Sequence, residues 1–340
     1  MNILFTSVGR RSYLLQYFRQ AMERGDKIYA ANSQSLSPAF LYADDCVVTP
    51  LIYEKGYIPF LLNYCREKNI DAILSLFDVD LPVLARNRKR FEDIGVKLLV
   101  SDAAFIDVCN DKWHTYSFLQ KHGFSVPRTY LSSEDVLRDV EAHRMTYPIM
   151  VKPRWGMGSI GIYEADDPEE LRIFSRKVEK EIATSYLKYE SQADQDHAVV
   201  FQEKIVGQEY GLDIINDLHG AYQATICKKK YAMRSGETDC AVTVEEPLLE
   251  ELGSRLGRVS GHIANLDCDV ILSGEEPYIL EMNARFGGGY PFSHMAGVNL
   301  PKAILGWLKG ERDCSGYLTY RPGVIAQKDI VMVQLRGVGE

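Results

Sequence analysis

Residues Tyr278 to Pro291 read YILEMNARFGGGYP, an apolar strand-like run that meets a carboxylate, an amide, an arginine and three glycines. Side chains two residues apart on a strand share a face, so Glu281, Asn283 and Arg285 point the same way. The wider stretch CDVILSGEEPYILEMNAR reads as two strands around the turn SGEEP, which sets Asp269 beside Glu281. Two carboxylates and an amide oxygen are the hard donors that Mg2+ accepts when nucleotide phosphates complete its octahedron. Neither histidine nor cysteine belongs to this set, which disfavours zinc. Asp267 has the same strand phase and is the alternative first ligand; Asp269 is preferred because its turn to Glu281 is shorter. Arg285 could stabilise charge developing on a transferred phosphoryl group. A structural salt-bridge cluster is the plain alternative.

Upstream, VKPRWGMGSIGI places Lys152 at a strand end before Gly156, Gly158, Ser159 and Gly161, with a second strand following. Glycines let backbone N–H groups approach phosphate oxygens, and lysine adds a compact positive charge. A Walker A loop is excluded, because the lysine precedes the glycines and no helix follows. The dinucleotide fingerprint fails for the same lack of a helix. Strand, turn and strand make a flap, or simply a glycine-rich hairpin. Between flap and metal strand lies FQEKIVGQEYGLD, an apolar strand broken at Gly207. Such a strand end could read adenine through its backbone, with a carboxylate beyond the turn taking ribose hydroxyls.

The first hundred residues alternate apolar runs (NILFTSV, KIYAAN, DAILSLF, VKLLVS) with helix-period segments (SYLLQYFRQAME, YIPFLLNYCREK, LPVLARNRKRFEDIG). That alternation predicts a parallel, doubly wound sheet. Its first turn offers one glycine, Gly9, with Arg10 and Arg11 beside it, which is weak support for a dinucleotide. Asn110 and Asp111 are candidate caps of a helix reaching about His122. A second helix is expected from Pro168 to Lys188, a loop over YESQADQDH, two strands around SGET, and a helix from Pro247 to about Asn265.

A net charge of -8 with pI near 5.5 argues against nucleic-acid or anionic-membrane partners. The run Lys228-Lys229-Lys230 is an exception, read either as a solvated face or as a phosphate contact. Seven scattered cysteines without CxxC pairs read as reduced thiols. Met1 leads straight into a strand, and no apolar run approaches the about 20 residues of a membrane span. A cytoplasmic location is expected.

In their order, these pieces resemble the ATP-grasp superfamily, and in particular the carbamoyl-phosphate-synthase-like ligases such as that of pyrrolysine biosynthesis. The resemblance implies an α/β fold with an N-terminal pre-ATP-grasp sheet (1–110), a small lobe with the flap (111–205) and a large lobe with the metal site (206–340). It implies that Lys112 and Lys152 contact ATP phosphates under the flap of Arg154 to Gly161. Glu203 and Ile205 would form the adenine hinge, and Glu209 the ribose ligand. Asp269, Glu281 and Asn283 would hold Mg2+, with Mn2+ as a substitute, and Arg285 would face the acyl phosphate. Arg234 is a second candidate catalytic group, while Glu237 and the loop Gly287, Gly288, Gly289 are substrate candidates. The activity implied is an ATP-dependent carboxylate-amine ligase acting on small molecules, amino acids among them; a homodimer is one assembly open to it, since dimers are common in the superfamily. A small-molecule carboxylate or carbamate kinase is the rival within enzymes; an NAD-dependent oxidoreductase and a non-catalytic nucleotide-binding regulator are the rivals outside the class.

Overall fold

The computed structural model describes residues 1–156 and 161–335. Gly158 and Ser159 of the expected flap lie outside the described residues.

The first sheet contains β1 (Asn2–Thr6), β2 (Lys27–Asn32), β3 (Asp45–Val48), β4 (Ala72–Ser75) and β5 (Lys97–Leu98), all parallel, in the order β3-β2-β1-β4-β5. Its central strands are buried on both faces, which is why they read as unbroken apolar runs rather than alternating ones. β3 escaped the sequence reading because it is four residues long and alternates in exposure at the sheet edge. The segment LPVLARNRKRFEDIG forms two short helices, Leu81–Arg86 and Arg88–Glu92, hinged at Asn87. β1 lies between β2 and β4, so the winding reverses there, and the loops after β1 and β4 open a crevice of the kind that binds ligands.

The small lobe pairs β6 (Thr129–Tyr130), β7 (Ile149–Pro153), β8 (Tyr163–Ala165) and β9 (Val199–Glu203) in the antiparallel order β6-β9-β7-β8. Helix Pro168–Thr184 packs on it, begun by Asp167, whose carboxylate accepts from the N–H groups of Glu169 and Glu170. It stops short of Lys188. YESQADQDH is a further correction: it continues a short helix, Leu187–Glu190, with 3-10 turns at Ser191–Ala193 and Gln195–His197, and Ser191 is buried.

The large lobe is an antiparallel sheet of β10 (Gln208–Asn216), β11 (Tyr222–Arg234), β12 (Glu237–Val244), β13 (Ala264–Ser273), β14 (Glu276–Asn283) and β15 (Ile325–Gln327), ordered β14-β13-β10-β11-β12-β15. Its two faces divide by the period of two. Leu212, Ile214, Cys227, Leu266 and Cys268 enter one core with Leu249, Leu252 and Leu256 of helix Pro247–Ser260. That helix ends at Gly261, in the left-handed region at φ +55°, before the expected Asn265. The opposite face carries Asp213, Lys228, Lys230, Asp267, Asp269, Glu281 and Asn283. The lysine run is therefore no solvated face: Lys228 and Lys230 are 1% and 7% exposed.

Candidate active site

Register decides the metal strand. Across the β13–β14 pair, Asp269 stands opposite Glu281 and Asp267 opposite Asn283, so four oxygen-bearing side chains share one face. Their occupations differ. Asp267 is taken by the Arg285 guanidinium at 2.7 Å, and Asp269 by Lys230 Nζ at 2.8 Å. Lys230 also holds Glu209, at 2.7 Å. Glu281 and Asn283 have side-chain oxygens with no protein hydrogen bond among the described residues, and both line a partly open cleft. Burial lifts the Asp269 carboxyl to about 6 against the pull of Lys230, with Asp267 and Glu281 adding to the rise. A hard divalent cation would relieve that crowding, so this donor set fits Mg2+.

Arg285 is pinned from two domains. Its Nε donates to Asp78 Oδ2 at 2.9 Å from the loop after β4, and its NH1 donates to Asp267. Burial opposes its charge, and the two carboxylates more than restore it. Gly287 is required here: a β-carbon would fall 2.0 Å from Asp267 Cγ. Gly288 abuts Glu237 and Gly289 abuts Lys228, so the triple glycine lets the chain pass over three charged side chains. Arg11, at the start of the first helix, donates to the Phe286 carbonyl and fixes the same loop.

Lys112 lines the cleft and donates to the Gly156 carbonyl at 2.8 Å. Asp111 sets it there, capping helix Lys112–Lys121 through the N–H groups of Trp113 and His114 while gripping Arg154 with both oxygens. Lys152 donates to Gln202 at 2.6 Å, and burial with the nearby Lys112 brings its ammonium down to about 8. Gly161, with φ at +68°, stands in the turn that leads into β8.

The hinge expectations separate. The Glu203 carboxylate accepts from the Arg128 N–H at 3.3 Å. The backbone N–H and C=O groups of Lys204, Ile205 and Val206 make no hydrogen bond among the described residues, leaving an unpaired edge of donors and acceptors. Gly207 passes so close to β13 that a β-carbon would lie 2.3 Å from the Leu272 carbonyl. On the β11–β12 hairpin, Arg234 is exposed and paired with Asp239 at 2.5 Å, whereas Glu237 pairs with Lys328 at 2.8 Å. Arg234 is thus held at the hairpin tip while Glu237 lies against the glycine loop.

Residues 109–289 match the family model for the ATP-grasp domain, more than half of the chain. The chain belongs to the ATP-grasp family. Residues 3–99 match the PylC-like N-terminal domain. Among curated relatives of this ATP-grasp chain, the carbamoyl phosphate synthase large chain of Pseudothermotoga lettingae is 23% identical over 88% of this chain and 26% of its own. That of Campylobacter jejuni is 21% identical over 81% and 24%. The chain spans about a quarter of the length of these relatives. The fold is shared with the biotin carboxylase domain of Hydrogenobacter thermophilus 2-oxoglutarate carboxylase, solved with MgADP and bicarbonate, at TM-score 0.72, 17% identity, and 92% and 70% coverage. It is shared also with the Bacillus licheniformis L-amino acid ligase, at TM-score 0.66, 18% identity, and 94% and 77% coverage.

Three cleft residues of this ATP-grasp site were missed from sequence. Asp78 comes from the first sheet, in a loop that looked like a mere strand end; the winding reversal was the available signal. Asn110 donates to the Asp78 carbonyl at 3.3 Å, fixing that loop. Glu190 sat within the presumed loop, and its carboxyl is pushed up to about 7 by burial, against the pull of Lys112 and with Asp78 adding. Among the described residues no helix is long and apolar enough to cross a membrane, and all seven cysteines are free thiols.

Proposed function

We propose that this chain is an ATP- and Mg2+-dependent ligase that joins a carboxylate to an amine, with an amino acid as at least one partner. Lys112 and Lys152 hold the phosphates, Lys204 to Val206 offer backbone groups to adenine, and Glu209 reaches the ribose. Asp269, Glu281 and Asn283 hold Mg2+, which supplies charge neutralisation at the phosphates. The substrate carboxylate oxygen attacks the γ-phosphorus, breaking its bond to the bridging oxygen and releasing ADP. The amine nitrogen, having given up its ammonium proton to solvent, attacks the acyl carbon of the acyl phosphate, loses a second proton, and phosphate leaves. Phosphoryl transfer depends mainly on positioning and charge neutralisation, which suits a site without a conventional nucleophile. Arg285, held by two carboxylates, faces the transferred group, and Glu237 with Gly287 to Gly289 borders the substrate.

The observation that supports this most is the pair of unengaged oxygen donors, Glu281 and Asn283, in one cleft with Lys112. Glu281→Gln is expected to abolish ATP-dependent ADP release while leaving the thermal midpoint near that of the wild type; undiminished release would sink the assignment. Similarity to carbamoyl phosphate synthase large chains favours one rival, a kinase of a small carboxylate or carbamate. ADP release that needs no amine acceptor would select it.

A further inference from the structure

Asp78 is 2% exposed, and its two oxygens are unequal. Oδ2 accepts from Arg285, whereas Oδ1 is buried without a hydrogen-bond partner among the described residues. A carboxylate oxygen buried without a donor is costly, and an orphan of this kind calls for an explanation, such as a water, an ion or a ligand that completes it. Asp78 lines the cleft, and so does Glu190, whose carboxylate also lacks a hydrogen bond among the described residues. The two influence each other's charge, and Lys112 is the cation nearest in effect to Glu190.

Glu190 is held there by packing. Leu187, one turn earlier in helix Leu187–Glu190, is fully buried and so close to Gly156 that a β-carbon on Gly156 would lie 2.8 Å from its Cδ2. Tyr189 stacks on Tyr53 of the first domain with ring centroids 4.4 Å apart. The segment is therefore anchored on both sides of the carboxylate it presents.

We infer that Asp78 Oδ1 and Glu190 form the subsite for the ammonium group of the amine substrate, a cationic primary amine or amino acid. An ammonium has three N–H donors and no acceptor, and it is the ligand that an orphan carboxylate oxygen and a second carboxylate share most readily. A second divalent ion fits less well. Asp78 is already shared with a guanidinium, and Mg2+ demands near-ideal octahedral geometry, whereas these two carboxylates come from separate domains. Of the other groups lining the cleft, Lys112 and Glu281 are charged and belong to the phosphate and Mg2+ assignments above, while Leu280, Cys109 and the Thr115 hydroxyl are uncharged.

This inference rests on the ligase reading above, and its test separates the two. ADP release is measured with ATP against primary amines and amino acids, using N-acetylated counterparts as controls, for the wild type, Glu190→Gln and Glu190→Ala. In both variants the KM for amine is expected to rise about tenfold or more, as loss of a charge-assisted contact would give, with the KM for ATP within about twofold. An unmoved amine KM overturns the subsite, and so does a rise confined to the KM for ATP or for Mg2+, which would make Glu190 a nucleotide or metal group. If the wild type shows no amine-dependent ADP release, the ligase reading fails. Calorimetric titration of the Mg-ADP-loaded protein with n-butylamine, against uncharged n-butanol, then decides the subsite alone: saturable binding of the amine that Glu190→Gln removes supports it, and equal heats for both ligands overturn it.

Discussion

At Lys152 a single ammonium sits beside Lys112 on the strand that leads into the flap, and burial with that like charge lowers it from 10.5 to about 8. Two consequences of opposite kind arise. A charged group whose folded value is depressed burdens the fold fully below that value, and the burden fades as pH rises from the folded value to the unfolded one. Lys152→Met is therefore expected to raise the thermal midpoint more at pH 6 than at pH 10, read by calorimetry. Bound phosphate reverses the balance, because an anion restores the ammonium. ATP binding should then take up a proton between about pH 8 and 10.5 and none near pH 6 from this group. Titrations in two buffers of different ionisation enthalpy would show it, and identical heats at pH 9 would refute it.

Among the elements, the start of helix Lys112–Lys121 has the densest set of obligations. Asp111 caps it, receives the buried Arg154 guanidinium, and is followed by the Lys112 N–H donating to the Arg154 carbonyl at 3.1 Å. Removing one partner of a buried pair costs about 3–5 kcal/mol, and the cap adds about 1 kcal/mol. Asp111→Ala is expected to lose stability of that order in urea unfolding, with Asp111→Asn losing less because the amide still caps. The glycine loop gives a different outcome. Gly287→Ala would push Asp267 from Arg285, and a displacement of about 1 Å in a positioned group can cost about a hundredfold in rate. Single-turnover ADP release should fall on that scale while far-ultraviolet dichroism stays unchanged.

Elements of this kind also mark how far sequence could reach. Strand periodicity placed Asp269, Glu281, Asn283 and Arg285 on one face, because a period of two is a local property. It could not show that Asp267 and Asp269 are each already claimed, since Arg285 and Lys230 meet them only through pairing with other strands. The lysine run misled for the same reason: alternation turns Lys228 and Lys230 inward, but only their partners Asp213, Ser293 and Glu209 make burial tolerable. Asp78 and Glu190 had no local signature, as both reach the cleft through domain packing.

For the whole molecule, the site exists only where the domains meet. Arg285 depends on Asp78 of the first domain, and the Phe286 carbonyl on Arg11. Hydrogen bonds from charged groups contribute about 1.5–3 kcal/mol, so Arg11→Ala is expected to lower both the thermal midpoint and kcat. A fall in the midpoint alone would mean that Arg11 merely ties the domains together.

The small lobe is joined to the large one by two chain crossings, one before β6 and one at Lys204 to Gly207. They run side by side, with the Glu203 N–H donating to the Arg128 carbonyl at 2.9 Å, and each meets one of the neighbouring strands β14 and β13 of the large sheet. Ile279 N–H reaches the Ser125 carbonyl at 3.0 Å, and Gly207 presses on Leu272. Two adjacent ties to one sheet leave one easy rotation, about the line through them, and the Tyr189–Tyr53 stack on the first domain is the contact that such a rotation would part. Such a lobe can swing like a door on two knuckles, and the base of a nucleotide lying along Lys204 to Val206 would rest on the pin itself, where the arc of travel is shortest. The phosphates, at the far edge, would feel the full sweep.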